Sequence, residues 1–417
     1  MGALGTLGIS GLLPISGMAG LLPDLQQRIG HGGGGPEDED FWALVRQAYT
    51  VSPQIINLNN GGVSPQPESV QRAMIRFYQM SNEGPSYYMW QVLDQGREPL
   101  RRRLADLAGC DPEEIAINRN SSEALETVIF GLNLKKGDEV VLARQDYPNM
   151  INAWKQREKR DGIVLRWVDL DLPSEDEAYL TRSYVEKFTS RTRMVQITHV
   201  INWNGQVLPA RRIADAARER GIEVLIDAAH SFAHLDYRIP ELGGDYYGTS
   251  LHKWLSAPFG SGMLWVRRDK IAGLWPLLAA PEPDSPDIRK FEALGTRSFP
   301  IEHAIGEAID FQEMLGARRK EERLWFLKHY WTSRALQIPG VRIGSPLAPG
   351  WSGAIALLQI EGKEPHAISE ALFGKHRIHT VAIVWENIRG VRITPHVYTS
   401  LKDLDLLVAA IKEIATA

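Results

Sequence analysis

The chain has 417 residues, enough for about two or three domains with substantial cores. Apolar residues make up 44% and charged residues 24%, and a net charge of −4 gives no concentrated basic surface for nucleic acid or an acidic membrane. A single cysteine, Cys110, excludes an internal disulfide or a cysteine-based zinc site, and the histidines show no convincing ligand spacing, so no metal is expected.

In chain order, residues 1–40 stand apart. The stretch from Gly5 to Leu22 is apolar and glycine-rich, is broken by Pro14, and has no Lys or Arg before Arg28. It has too many breakers for a spanning helix and lacks the positive start of a secretory signal. It reads as a flexible or processed leader, a damaged export signal being one option, with the HGGGGP run at 31–36 as a linker. Folded structure is expected from Phe41. Helical patterns then fall at 67–80, 98–109, 123–132, 150–161 and 209–220, separated by β-branched runs at 139–143, 164–168, 194–199 and 224–227. Such alternation predicts βαβ units and a mostly parallel sheet. A further strand at 262–267 and a helix ending near Gly316 complete a large unit over 41–320. From 321 to 417 the texture changes: a charged helix over 318–336, strands at 354–360, 380–384 and 391–394, and helices at 365–374 and 402–416 predict a smaller α+β unit.

Two segments carry chemistry. Val224-Leu225-Ile226-Asp227 is an apolar strand ending in an acid, followed by His230, and Gly248-Thr249-Ser250-Leu251-His252-Lys253 is a second strand ending in Ser-x-His-Lys. In a parallel sheet the ligand crevice lies at these strand ends. Pyridoxal 5′-phosphate (PLP) asks a protein for a lysine amine to form a Schiff base, an acid beside the pyridine nitrogen, and donors around its phosphate. Lys253, Asp227, and Ser250 with His252 supply that set. Taken one at a time, each has a plainer reading, a surface lysine or a turn aspartate; the order and spacing of all of them together favour the cofactor. Asn120-Ser121-Ser122-Glu123 adds hydroxyls and free N–H groups at a helix start, a phosphate site that doubles as a helix cap.

These segments resemble the class V aminotransferases, a family that also contains cysteine desulfurases, selenocysteine lyases, kynureninases and isopenicillin N epimerases. The resemblance runs from about residue 55 to the C-terminus, and Asp-Ala-Ala-His with Gly-Thr-Ser-Leu-His-Lys-Trp is most similar to the isopenicillin N epimerase-like branch. It implies an α/β architecture, the PLP-dependent transferase fold type I, with a seven-stranded, mostly parallel sheet and a smaller C-terminal domain. It also implies roles. Ser121 and Ser122 belong to the phosphate cup, Tyr147 stacks on the cofactor ring, and Asn202 and His230 approach its phenolic oxygen. Thr296 reaches the phosphate of the neighbouring subunit in a homodimer, and Arg392 pairs the substrate carboxylate.

The branches differ in which bond at the substrate breaks. A desulfurase needs a cysteine in the C-terminal half, and no cysteine follows Lys253. Three reactions stay open: epimerisation, transamination, and carbon–sulfur β-elimination from a cysteine conjugate. Lys253 serves each as the base. Epimerisation also needs a second base, with Tyr147 and His230 as candidates, and the resemblance tilts toward it. A non-catalytic binding module is disfavoured by retention of the whole set, and a nicotinamide enzyme by the lack of Gly-x-Gly-x-x-Gly after the first strand. Trp90, Trp203, Trp254 and Trp385 are open between core and pocket wall, and Tyr87 to Trp90 between dimer seam and active-site wall. A cytoplasmic location is expected, export through the leader being the alternative.

Overall fold

The computed structural model describes residues 21–30 and 33–416. The expectations for 1–20 and for His31 and Gly32 lie outside the described residues. The expected boundary at Phe41 falls too late. Helix Leu21–Gly30 buries Leu25 in a cluster with Phe41, Trp42 and Val45. Residues 33–38 are tied down as well: Asp38 accepts from the Gly34 and Phe41 amides, and Gly35 O and Pro36 O accept from Trp42 and Arg323. A glycine-rich sequence looks like a linker whether or not distant side chains hold its backbone.

The large sheet has seven strands in the order Ile115–Asn118, Gly262–Val266, Tyr246–Ser250, Glu223–Asp227, Thr192–Thr198, Glu139–Ala143 and Val164–Val168. All run parallel except Gly262–Val266, which is antiparallel to both neighbours. Helices cover both faces, so successive side chains of one strand enter different cores: Val224 and Ile226 join one apolar cluster and Leu225 the other. That double burial is why the strands read as unbroken apolar runs instead of alternating ones.

The smaller sheet is antiparallel, ordered Val381–Trp385, Ile388–Ile393, Ala356–Ile360, Val341–Ile343. It packs with helices Ala317–Ala335, Pro365–His376 and Leu401–Thr416 around a core of its own. We propose the unit boundary at 320, one turn into helix Ala317–Ala335. The N-terminal segment also joins this unit. Ile56–Asn57 pairs in parallel with Ile378–His379, Asn59 bridges Thr394, and Leu58 is buried in the small core.

Candidate active site

The C-terminal ends of the parallel strands deliver the predicted residues to one edge of the sheet. After Ile115–Asn118 the chain turns into helix Ser121–Gly131, with Asn120 in extended backbone and its side chain accepting from the Glu123 amide at 2.9 Å. The cap is thus Asn120, not a serine, which leaves both serine hydroxyls uncommitted to capping. Ser250 Oγ accepts from the Ser121 amide and donates to Ser121 Oγ, both at 2.9 Å, so the Ser121 hydroxyl hydrogen remains available. The turn lies hard against Gly262, where a Cβ would come within 2.6 Å of the Asn120 backbone. His252 Nδ1 bonds Ser261 O at 3.0 Å, which leaves Nε2 as its free ring nitrogen.

At the centre, Asp227 ends its strand and accepts from the Ala229 amide at 3.0 Å. Burial pushes its carboxyl up, against the pull of that bond and of the Lys253 charge. Beneath it, buried Asp146 is pushed up to about 7 by burial, although Thr198, Ala143 and Gln196 all donate to it. Lys253 Nζ lies 3.0 Å from His230 Nε2, and burial lowers the amine to about 8. His230 is held well below the ordinary histidine range, first by burial and then by the Lys253 and Arg392 charges, so it is neutral.

The small unit supplies the far wall. Arg392, in strand Ile388–Ile393, is 7% exposed and donates to Asn202 O at 2.9 Å and to Asn59 Oδ1 at 3.0 Å. Both acceptors are neutral, and its Nε has no hydrogen-bond partner.

Ser121, Ser122, Tyr147, Asn202, Asp227, His230, Ser250, His252, Lys253 and Arg392 line one cavity of about 420 Å³. Thr296 does not. It is exposed and lines a separate cavity with Arg97, Arg297 and Ser298. Of the tryptophans, Trp203 lines the site and Trp385 stacks on it, whereas Trp254 is fully buried against His234 with ring centres 3.7 Å apart. Trp90 packs on Phe299 outside the cavity, and neither Tyr87 nor Tyr88 lines it. Sequence reasoning missed Asn59, Gly61, Gly62 and Thr198. The Asn59-Asn60-Gly61-Gly62 run carried a signal, since glycines in a turn let backbone approach closely, and a Cβ on Gly61 would sit 3.3 Å from Thr394 Oγ1.

Three ionisable groups, Asp227, Arg392 and the part-buried Lys253, face this cavity; Asp227 and Lys253 attract each other without a direct ion pair, and Arg392 has only neutral partners among the described residues. Asn202 Oδ1 is buried and unpaired beside them. An uncompensated buried charge such as Arg392 costs several kcal/mol, about 3–5 in typical cases, so the arrangement is complete only with a ligand. PLP fits it. The helix start with Ser121, Ser122 and His252 would hold the phosphate, Asp227 would take a protonated ring nitrogen, and Lys253 the aldehyde carbon. The Arg392 fork is left for a second anion.

The aminotransferase class-V model matches residues 56–404. The chain belongs to the aminotransferase class-V family. The isopenicillin N epimerase of Streptomyces clavuligerus is 30% identical over 395 residues, 89% of this chain and 97% of that protein. Among solved structures, a mutant of C-DES with glycine covalently linked to its PLP cofactor superposes with a TM-score of 0.79 at 22% identity, covering 88% of this chain and 99% of the other. The apo cysteine desulfurase of Thermococcus onnurineus NA1 gives 0.80 at 23% identity, covering 89% and 97%. This class-V chain is therefore a PLP-dependent enzyme with the type I fold, and the seven-stranded sheet meets the expectation drawn from the sequence. Among its described residues no helix is long and apolar enough to cross a membrane.

Proposed function

We propose that the enzyme works at the α-carbon of an amino acid, as an amino-acid epimerase. One observation carries the first half: Arg392, a buried cation with only neutral partners, lies across one cavity from Lys253. A bidentate guanidinium suits an α-carboxylate, and its hold places the α-carbon between Arg392 and the lysine. PLP, when bound, draws off the electron pair left at that carbon. Lys253 Nζ takes the α-proton from one face, and an amine lowered to about 8 is a competent base near neutral pH. His230 sits 3.0 Å from the same amine, so it serves Lys253 and not the opposite face. Tyr147 lines the cavity from another loop and is 40% exposed, and we assign its hydroxyl as the proton donor on the second face.

The likeness to isopenicillin N epimerase supports epimerisation, and Lys253 would serve transamination or carbon–sulfur β-elimination equally. We infer that no persulfide forms. The sole cysteine, Cys110, lies outside the cavity, and burial pushes its thiol up to about 12, away from the reactive thiolate. We also infer a homodimer in which Thr296 completes the neighbouring site. Its position outside its own chain's cavity supports this, as do the exposed apolar side chains Ile75, Tyr78 and Tyr87. A cytoplasmic location fits free amino acids as substrates, with export the alternative.

The PLP-loaded protein is tested by absorbance and product analysis. Lys253→Ala should lose the band of covalently held cofactor. Arg392→Lys should keep that band and raise the half-saturating amino acid concentration about thirtyfold or more. In deuterated water the epimerase reading requires the inverted amino acid labelled at the α-carbon. A 2-oxo acid as product would establish transamination, and pyruvate with ammonia would establish β-elimination.

A further inference from the structure

We propose that the enzyme selects α-amino acids with a large apolar side chain, and that Trp203 is the residue that reads it. The inference rests on the assignment of Arg392 to the α-carboxylate. Once the charged lining is allotted to phosphate, ring nitrogen, amine and carboxylate, the rest of the cavity is Tyr147, Trp203, Val381, Ala382 and Ile383, with Leu125, Met150, the neutral polar Thr198 and Asn202, and backbone. None of these carries a charge. A substrate side chain ending in a carboxylate, ammonium or guanidinium would enter with no counter-charge and pay its desolvation unrewarded.

The wall is also fixed in place. Trp203 Nε1 donates to Gln145 O and Trp385 Nε1 to Arg144 O, each at 2.9 Å, so both indole N–H groups are spent on adjacent backbone carbonyls. The two rings stack with centres 5.2 Å apart and planes 23° from parallel. Tyr147 lies 6.4 Å from Trp203 at 31°. Gln145 is fully buried and binds Leu170 O in the large unit and Asn387 Oδ1 in the small one, which locks the hairpin carrying Trp385 to the loop carrying Tyr147. A rigid indole pair with both N–H groups satisfied offers apolar area at little entropic cost.

Aromatic faces also attract cations, so lysine and arginine are the sharpest rivals. The buried Arg392 guanidinium and the Lys253 amine already place positive charge in this cavity, and no carboxylate on the substrate side offsets a third. Apolar discrimination of this type is worth about 10–200-fold per matched group.

The test follows the absorbance change of the PLP-loaded protein as single L-amino acids are added, which reads binding independently of turnover. Phenylalanine and leucine should half-saturate at concentrations about tenfold or more below aspartate, lysine and serine. Trp203→Ala should weaken phenylalanine about tenfold more than alanine, and Trp203→Phe should restore most of the difference, which separates lost recognition from lost folding. Equal binding of aspartate or lysine and phenylalanine overturns the proposal while leaving the Arg392 assignment intact. The same is true of a Trp203→Ala enzyme that keeps the wild-type preference. If no amino acid binds, or if Arg392→Lys weakens none of them, the carboxylate assignment falls and this inference falls with it.

Discussion

Two hydrogen bonds meet on the ring of His230. Trp254 Nε1 donates to Nδ1 at 3.4 Å, and Nε2 faces Lys253 Nζ at 3.0 Å. A neutral imidazole that accepts at Nδ1 carries its proton on Nε2, so it donates to the lysine and favours the uncharged amine. Trp254→Phe removes the donor and keeps most of the packing. His230 can then turn an unprotonated Nε2 toward a charged Lys253, and the amine should titrate about 0.5–1 unit higher, the equivalent of one hydrogen bond of about 1 kcal/mol. The pH dependence of PLP capture by the apoprotein reads this, with a wild-type midpoint near 8; an unmoved midpoint in the variant would rule the tautomer argument out. The Asp227, His230 and Lys253 set was legible because strand ends and their spacing mark it. The partnership with Trp254 was not, because adjacency to Lys253 in sequence says nothing of where an indole N–H points.

The helix Ser121–Gly131 and the strand Gly262–Val266 act as one element pair. The turn that we assign to the phosphate keeps its shape because the Asn120 backbone rests against a glycine, and no side chain fits between them. Gly262→Ala must push the helix start away from Ser250, breaking the serine pair that holds Ser121 at 2.9 Å. We expect a loss of about 1–3 kcal/mol in stability and at least about tenfold in PLP affinity. Urea unfolding and a PLP titration measure the two, and an unchanged PLP affinity would show that the cup does not depend on this contact. The helix was readable from its capping pattern and following apolar run. Its partner was not, since the two segments are separated by more than a hundred residues and only the sheet order brings them side by side.

Across the whole molecule, helix Ala317–Ala335 joins the two units through buried cations. Lys320 donates to Gln312 Oε1 at 2.8 Å and to Trp254 O, and Lys328 to Ser352 Oγ and Pro346 O. With no carboxylate bonded to either, burial lowers both amines from 10.5 to about 7. Between those values the unfolded chain binds more protons than the folded one, so stability rises with pH through this window, by up to about 1.4 kcal/mol per unit for each lysine. Above 9.0 the Cys110 thiol, pushed up to about 12, works the other way, so the slope is read from pH 7 to 9, where Lys253, lowered to about 8, adds to the rise above pH 8. Lys320→Met should remove about two fifths of the rise in unfolding free energy over that range, Lys328 and Lys253 supplying the rest, measured in urea at both ends. A slope equal to wild type would show that Lys320 is not buried as a neutral amine. The charged helix read over 318–336 marked neither lysine as buried, because periodicity reports which residues share a helix face and not what that face meets.

What the sequence determined by itself is what local chemistry encodes: the alternation of strands and helices, the acid and the Ser-x-His-Lys turn at strand ends, the serine-bearing helix start, and with them the cofactor and the family. The tertiary structure decided what depends on segments far apart in the chain. It anchored residues 33–40 to the fold, brought Asn59 and Asn202 to Arg392, kept Thr296 out of its own chain's cavity, and chose Trp203 over Trp254 as the wall. Spacing within one element is fixed by backbone geometry, whereas contacts between elements are fixed by how apolar faces pack, and a linear pattern carries no distance across that packing.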